Sequence, residues 1–128
     1  MRYLLDTQLV VWIPVSAPRL SRVARAILND PGNSLLFSVV SLWELAIKRG
    51  IGKLDPRIDP RIIRREMIEA GYEELAVLGQ HVLNVESLPL IHKDPFDRLL
   101  IAQANAEGIT LLTVDTTIAR YPGPIRKV

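Results

Sequence analysis

The chain has 128 residues, with 16 Lys plus Arg against 14 Asp plus Glu, two His and no Cys. Apolar residues at 48% and charged residues at 23% supply one sizeable core and exclude wholesale disorder, so a single domain over residues 1–128 is expected. The missing cysteines exclude disulfide scaffolds, thiolate metal sites and cysteine nucleophiles, and a net charge of +2 does not by itself argue for nucleic acid.

Residues 2–6 (RYLLD) read as a short buried strand ending in an acid, and Thr7 to Ile13 continues as a mostly apolar helical segment. Asp6 interrupts the first apolar stretch and no small-residue cleavage site follows, so no signal peptide is expected; no run approaches about 18 apolar residues, the length of a membrane span. A cytoplasmic protein is the expectation. Pro14 and Pro18 break the chain before Ser21–Leu28, where Val23, Ala26 and Ile27 recur on one helical face. DPGN at 30–33 is a turn signal.

Ser34–Ser38 (SLLFS) reads as a buried strand, and Val39–Arg49 switches to helical spacing, with Lys48 and Arg49 suiting its C-terminus and Gly50 and Gly52 stopping it. A proline-punctuated connection at 53–61 leads to a basic helix from about Arg61 to Ala70, closed by Gly71. Leu75–Leu78 suits a strand, Gln80–Ser87 a short helix, and LPLIHKDP a loop into a helix over Pro95–Glu107, ended by Gly108. Ile109–Val114 is the most strand-like segment; Thr116–Ala119 makes one helical turn, and Pro122, Gly123 and Pro124 are expected to preclude a regular ending. Short apolar strands alternating with helices predict an α/β fold, three layers in α/β/α order around a central parallel sheet. Ligands in that architecture gather at the carboxyl ends of the strands.

The acids cluster there. Asp6 follows the first strand, Glu44 lies soon after the second, Asp94 and Asp97 open the long helix, and Asp115 follows the late strand. Carboxylates crowded together repel one another unless cations neutralise them. An all-oxygen donor set points to Mg²⁺ or Mn²⁺ rather than Zn²⁺, and phosphodiester hydrolysis is the matching reaction, with one ion or two. Each acid also has an ordinary explanation. Asp94 before Pro95 reads as a helix N-cap with Asp97 in the first turn; Ser41 to Glu44 matches a capping box, unless the helix begins nearer Ser38; Asp6 and Asp115 suit caps as well. Capping does not explain the ensemble, which keeps Thr7, Ser38, Ser41, Thr113 and Thr116 beside the acids. Hydroxyls in such places hold waters or phosphate oxygens.

Other candidates carry less. His81 and His92 lack a third ligand at metal spacing and read as structural or exposed. Trp12 and Trp43 read as core or interface residues, with base stacking as the alternative. Lys48 and Arg98 each follow an acid by four residues, which predicts intrahelical pairs; Arg98 has phosphate contact as its alternative role. The arginine groups Arg19, Arg22, Arg25 and Arg57, Arg61, Arg64, Arg65 suit phosphate forks or solvated helix faces about equally.

The segments YLLDT (3–7), SVVSLWELAIKRGIGKL (38–54), LPLIHKDPFDRLLIAQANAEG (88–108) and LLTVDTTIARY (111–121) resemble the PIN-domain ribonucleases, and within them the VapC-type toxins of toxin–antitoxin pairs. HKDPFDRLLIAQA is the most specific match, and the resemblance spans essentially the whole chain. It implies a doubly wound α/β fold, Mg²⁺- or Mn²⁺-dependent endoribonuclease activity, a cognate VapB-type antitoxin whose tail occupies the active-site groove, and a homodimer. It assigns the metal-binding carboxylates to Asp6, Glu44, Asp97 and Asp115, and leaves Asp94 chiefly a cap. Gln8 stands where many members have His, and the prolines of WIPVSAPRLS depart from the pattern; neither removes a carboxylate. A metal-dependent toxin nuclease acting on RNA is therefore the leading expectation, with a catalytically silent PIN-like RNA- or protein-binding module as the alternative.

Overall fold

The apolar runs of the sequence become the strands β1 (Arg2–Leu5), β2 (Ser34–Ser38) and β4 (Thr110–Thr113), joined by the shorter β3 (Glu73–Leu75) and β5 (Ile125–Lys127). In the computed structural model, which describes residues 1–128, these pair into one sheet in the order β3-β2-β1-β4-β5. Every pairing is parallel. The helices are α1 (Thr7–Trp12), α2 (Arg22–Asn29), α3 (Val39–Gly50), α4 (Pro60–Glu69), α5 (Gly79–Asn84) and α6 (Pro95–Glu107). Short 3₁₀ turns occupy Val85–Ser87 and Ile118–Arg120. None of the helices is long and apolar enough to cross a membrane.

Alternate residues of a strand point to opposite faces, and the central strands bury both. Leu4, Leu36 and Leu111 face one core, which α6 fills with Leu99, Leu100, Ile101, Ala102 and Ala104. Tyr3, Leu5, Phe37 and Leu112 face the other, covered by Leu9 and Val10 of α1, Ala24 and Ile27 of α2, and Ile63 and Met67 of α4. This is the three-layer α/β/α arrangement expected from the sequence. A polar chain threads the first core: Ser38 donates to Gln103 Oε1 at 2.5 Å, and the Gln103 amide donates to the Ala76 carbonyl at 3.3 Å. That network ties the start of α3 to the middle of α6, and with no polar atom left alone its burial carries little penalty.

Two expectations are corrected. The third strand lies at Glu73–Leu75 rather than 75–78, and the chain does end in a strand despite Pro122, Gly123 and Pro124. Those residues turn the chain instead of excluding structure after it. Gly123 takes φ 118°, a conformation that glycine adopts freely. The Pro124 carbonyl then accepts from Leu111 N at 2.7 Å, and β5 pairs with β4 from Ile125 onward.

Leu100 is fully buried, whereas Leu90 is 93% exposed. Leu100→Ala is expected to lower unfolding free energy by about 2–5 kcal/mol, and Leu90→Ala by less than about 0.5 kcal/mol. Denaturant titration of the two variants measures both.

Candidate functional site

Parallel strands deliver their carboxyl ends to one edge of the sheet, and there Asp6, Glu44, Asp94, Asp97 and Asp115 line a single cleft of about 470 Å³. All five acids singled out in the sequence are thus brought together. Lys48, His92 and Trp12 share the same walls.

Asp6 is held most firmly. It is 3% exposed and caps α1, accepting from Leu9 N at 2.9 Å through Oδ1. Its Oδ2 accepts from the Thr113 hydroxyl at 2.6 Å and from Val114 N at 3.1 Å, so one carboxylate joins the ends of β1 and β4. Burial pushes the Asp6 carboxyl up, these bonds pull it back, and the nearby charge of Asp115 adds to the rise. Thr113 Oγ1 also accepts from Asp115 N at 3.0 Å, and Asp115 Oδ1 accepts from Thr117 N at 2.7 Å.

Asp94 is the N-cap of α6, accepting from Phe96 N at 2.9 Å and Asp97 N at 3.1 Å, with Pro95 opening the helix. Asp97, in the first turn, pairs through Oδ2 with His92 Nε2 at 2.8 Å. Burial and the charge of Asp94 raise its carboxyl to about 6, and His92 counteracts part of that rise.

The capping-box explanation of Glu44 fails. Ser38 caps α3, accepting from Val40 N at 3.0 Å, so Glu44 lies in the second turn. Ser41 shares a hydrogen bond with Thr7 at 2.9 Å instead. Glu44 pairs through Oε2 with Lys48 Nζ at 2.5 Å, which raises the lysine above its usual value, while Oε1 is buried with no hydrogen-bond partner.

The expectation that His92 has no further ligands at metal spacing is corrected: its ring and the carboxylates of Asp94 and Asp97 bring three potential ligand atoms within 4.8 Å of one another. The sequence signal was the H-x-D-x-x-D spacing at a helix entrance, which falls in a loop where no periodicity points it out. Arg98 is corrected as well: it neither pairs with Asp94 nor reaches the cleft. It is buried and donates to the Pro89 carbonyl at 2.9 Å, the Val85 carbonyl at 3.1 Å and the Tyr121 hydroxyl at 3.1 Å. Tyr121 Oη in turn accepts from His92 N at 2.7 Å. Arg98 therefore clamps the loop that carries His92.

Lys48 does make its expected intrahelical pair. Three of the four arginines in the second group turn to nearby acids, Arg57 to Asp55, Arg61 to Asp59 and Arg64 to Glu74. Arg25 is spent on loop carbonyls, and Arg19 lies 5.9 Å over the ring of Trp12. His81 is structural as expected, accepting from Leu78 N at 2.9 Å and pairing with Glu107 at 2.7 Å. Trp43 is half exposed and packs edge-on against Phe96.

A family model described as PIN domain matches residues 3–124. The chain belongs to the PIN-domain family. Among solved structures, this PIN domain is similar to VapBC2 from Rickettsia felis bound to a DNA fragment from their promoter, with 21% identity, a TM-score of 0.69, and coverage of 99% of this chain and 98% of that one. DNA-bound VapBC from Salmonella typhimurium gives 18% identity and a TM-score of 0.67 over 99% and 98% of the two chains. VapBC-1 from nontypeable Haemophilus influenzae gives 20% and 0.62 over 94% and 91%. No curated protein matches the chain. At these identities the likeness concerns the fold.

The raised Asp97 carboxyl has a consequence for stability. Its neutral form is favoured by folding, a contribution fully present below the ordinary value of 3.8 and lost as pH rises through about 6. In chelator, the unfolding free energy is expected to fall between pH 5 and 7.5 by about 1.4 kcal/mol, and Asp97→Asn to remove most of that fall. Thermal melts across this range, with equal slopes for the two proteins as the contrary result, test it.

Proposed function

We propose that this PIN domain is a Mg²⁺- or Mn²⁺-dependent endoribonuclease and the toxin of a VapBC-type toxin–antitoxin pair, one domain over residues 1–128 working in the cytoplasm. The observation that carries the reading is Glu44 Oε1, a buried carboxylate oxygen without a donor inside a cleft of acids. A buried carboxylate oxygen left without a donor is costly in a site meant only for structure, even where the other oxygen is ion-paired. The donor set fits a hard cation: carboxylate oxygens dominate, and one imidazole lies at the rim.

Asp6, Asp97 and Asp115 are the residues that would hold the ion, with Glu44 completing the set or orienting the attacking water. The ion when bound supplies charge neutralisation and activation of water for phosphodiester hydrolysis. The protein does the positioning. Thr113 and Leu9 N fix Asp6, Thr117 N fixes Asp115, and His92 sets the rotamer of Asp97. Asp94 keeps the N-terminus of α6 in place, and that helix's dipole favours negative charge beside it. A cleft of about 470 Å³ admits part of an RNA backbone.

A VapB-type antitoxin as partner is supported by the VapBC complexes named among the structural relatives. A homodimer is supported by Trp43 and Ile47 on α3 and Ile51 at its C-cap, exposed apolar residues spaced four apart. Purified, antitoxin-free protein incubated with total cellular RNA in Mn²⁺ is expected to give discrete cuts by end mapping. Chelator and Asp97→Asn are each expected to abolish them, and cutting that survives in Asp97→Asn overturns the assignment.

A further inference from the structure

Of the Lys and Arg side chains, Lys48 is the one that bonds to a carboxylate of the cleft. Its partner is asymmetric. The Glu44 side chain is 7% exposed and that of Lys48 43%, so the glutamate is fixed by its surroundings while the lysine reaches in from solvent on a flexible four-carbon stem. Glu44 leaves α3 toward the acids, one oxygen taken by the ammonium and the other buried with no donor. An ammonium is a compact, strongly hydrated charge, and with 43% of its side chain exposed Lys48 has water to turn to once another cation takes its partner.

We infer that Lys48 is the resident counter-ion of the cleft, neutralising Glu44 in the metal-free protein and withdrawing to solvent when a divalent cation takes that carboxylate. The inference rests on the proposed metal site. It explains why Glu44 and Lys48 pair within an arrangement that leaves Glu44 Oε1 unsatisfied: the orphan oxygen is the half of the carboxylate not served by the lysine. It also separates Lys48 from the positioning groups around Asp6 and Asp115, which are backbone amides and a hydroxyl and carry no charge that competes with a cation.

The test is calorimetric titration of the full chain with Mn²⁺ alone, after chelation and dialysis. Without the lysine, no ion pair has to open and no ammonium repels the incoming charge. Lys48→Met and Lys48→Gln are each expected to bind Mn²⁺ about two- to fivefold more tightly than wild type, with the gain shrinking as salt rises from 0.05 to 0.5 M. Lys48→Arg, which keeps the charge, is expected to stay near wild type. Unchanged affinity, or weaker binding in the neutral variants, overturns the inference; a loss of ten- to a hundredfold identifies Lys48 as a group that orients Glu44 for the ion. Circular dichroism confirms that each variant is folded, and the two neutral substitutions guard against failure of either one. Glu44→Gln and Asp97→Asn run alongside: Mn²⁺ binding that is the same in both as in wild type refutes the metal site itself, independently of Lys48.

Discussion

Five carboxylates meet in one cleft at the carboxyl end of a parallel sheet, and their mutual repulsion is the constraint to which the surrounding structure answers. Each acid is met by a donor or a positive charge. Asp6 takes two backbone amides and the Thr113 hydroxyl. Asp94 takes the first amides of α6, Asp115 the amides of the turn after β4, Asp97 the ring of His92, and Glu44 the ammonium of Lys48. The satisfaction is partial. Asp97 remains raised to about 6, and Glu44 Oε1 has no partner. A site finished for stability alone would leave neither, because buried polar groups in folded proteins are nearly always paired.

The donors that meet the acids are anchored far from them in sequence. Thr113 and Asp6 are separated by 107 positions, yet adjacent parallel strands set them 2.6 Å apart. The loop carrying His92 and Asp94 is fastened by Arg98 and Tyr121, the latter from the end of the 3₁₀ turn after β4. Behind the cleft, Ser38 and Gln103 join α3 to α6, so the helices bearing Glu44 and Asp97 are braced against each other through a buried hydrogen bond. Rigid supports of this kind hold like charges at fixed separation.

The apolar runs at Arg2–Leu5, Ser34–Ser38 and Thr110–Thr113 and the helical spacing of Val39–Gly50 and Pro95–Glu107 were legible because burial on both faces of a parallel strand, or on one stripe of a helix, writes itself into local composition. The five acids were legible because that topology sends strand ends to one edge. The short strand Glu73–Leu75 and the terminal strand Ile125–Lys127 were not, since edge strands of three residues carry little apolar signal and form only where a neighbour offers free backbone groups. The neighbours of His92 and Arg98 were not legible for a related reason: a loop histidine and a helix arginine have no periodic signature, and both reach Tyr121, which only the fold brings near.

The sequence by itself determined the fold class, the α/β/α layering and the identity of the acids, because each of these follows from local patterns of burial and from chain order. It also sufficed for Asp94 as a cap, since Asp-Pro at a helix entrance is a local event. Only the tertiary structure decided how the acids are answered: that Glu44 faces Lys48 and keeps an orphan oxygen, that His92 joins Asp97, that Arg98 clamps a loop rather than touching the cleft. Those outcomes depend on distances between segments that the chain brings together only on folding, and electrostatic interactions are set by such distances and by burial, neither of which composition records.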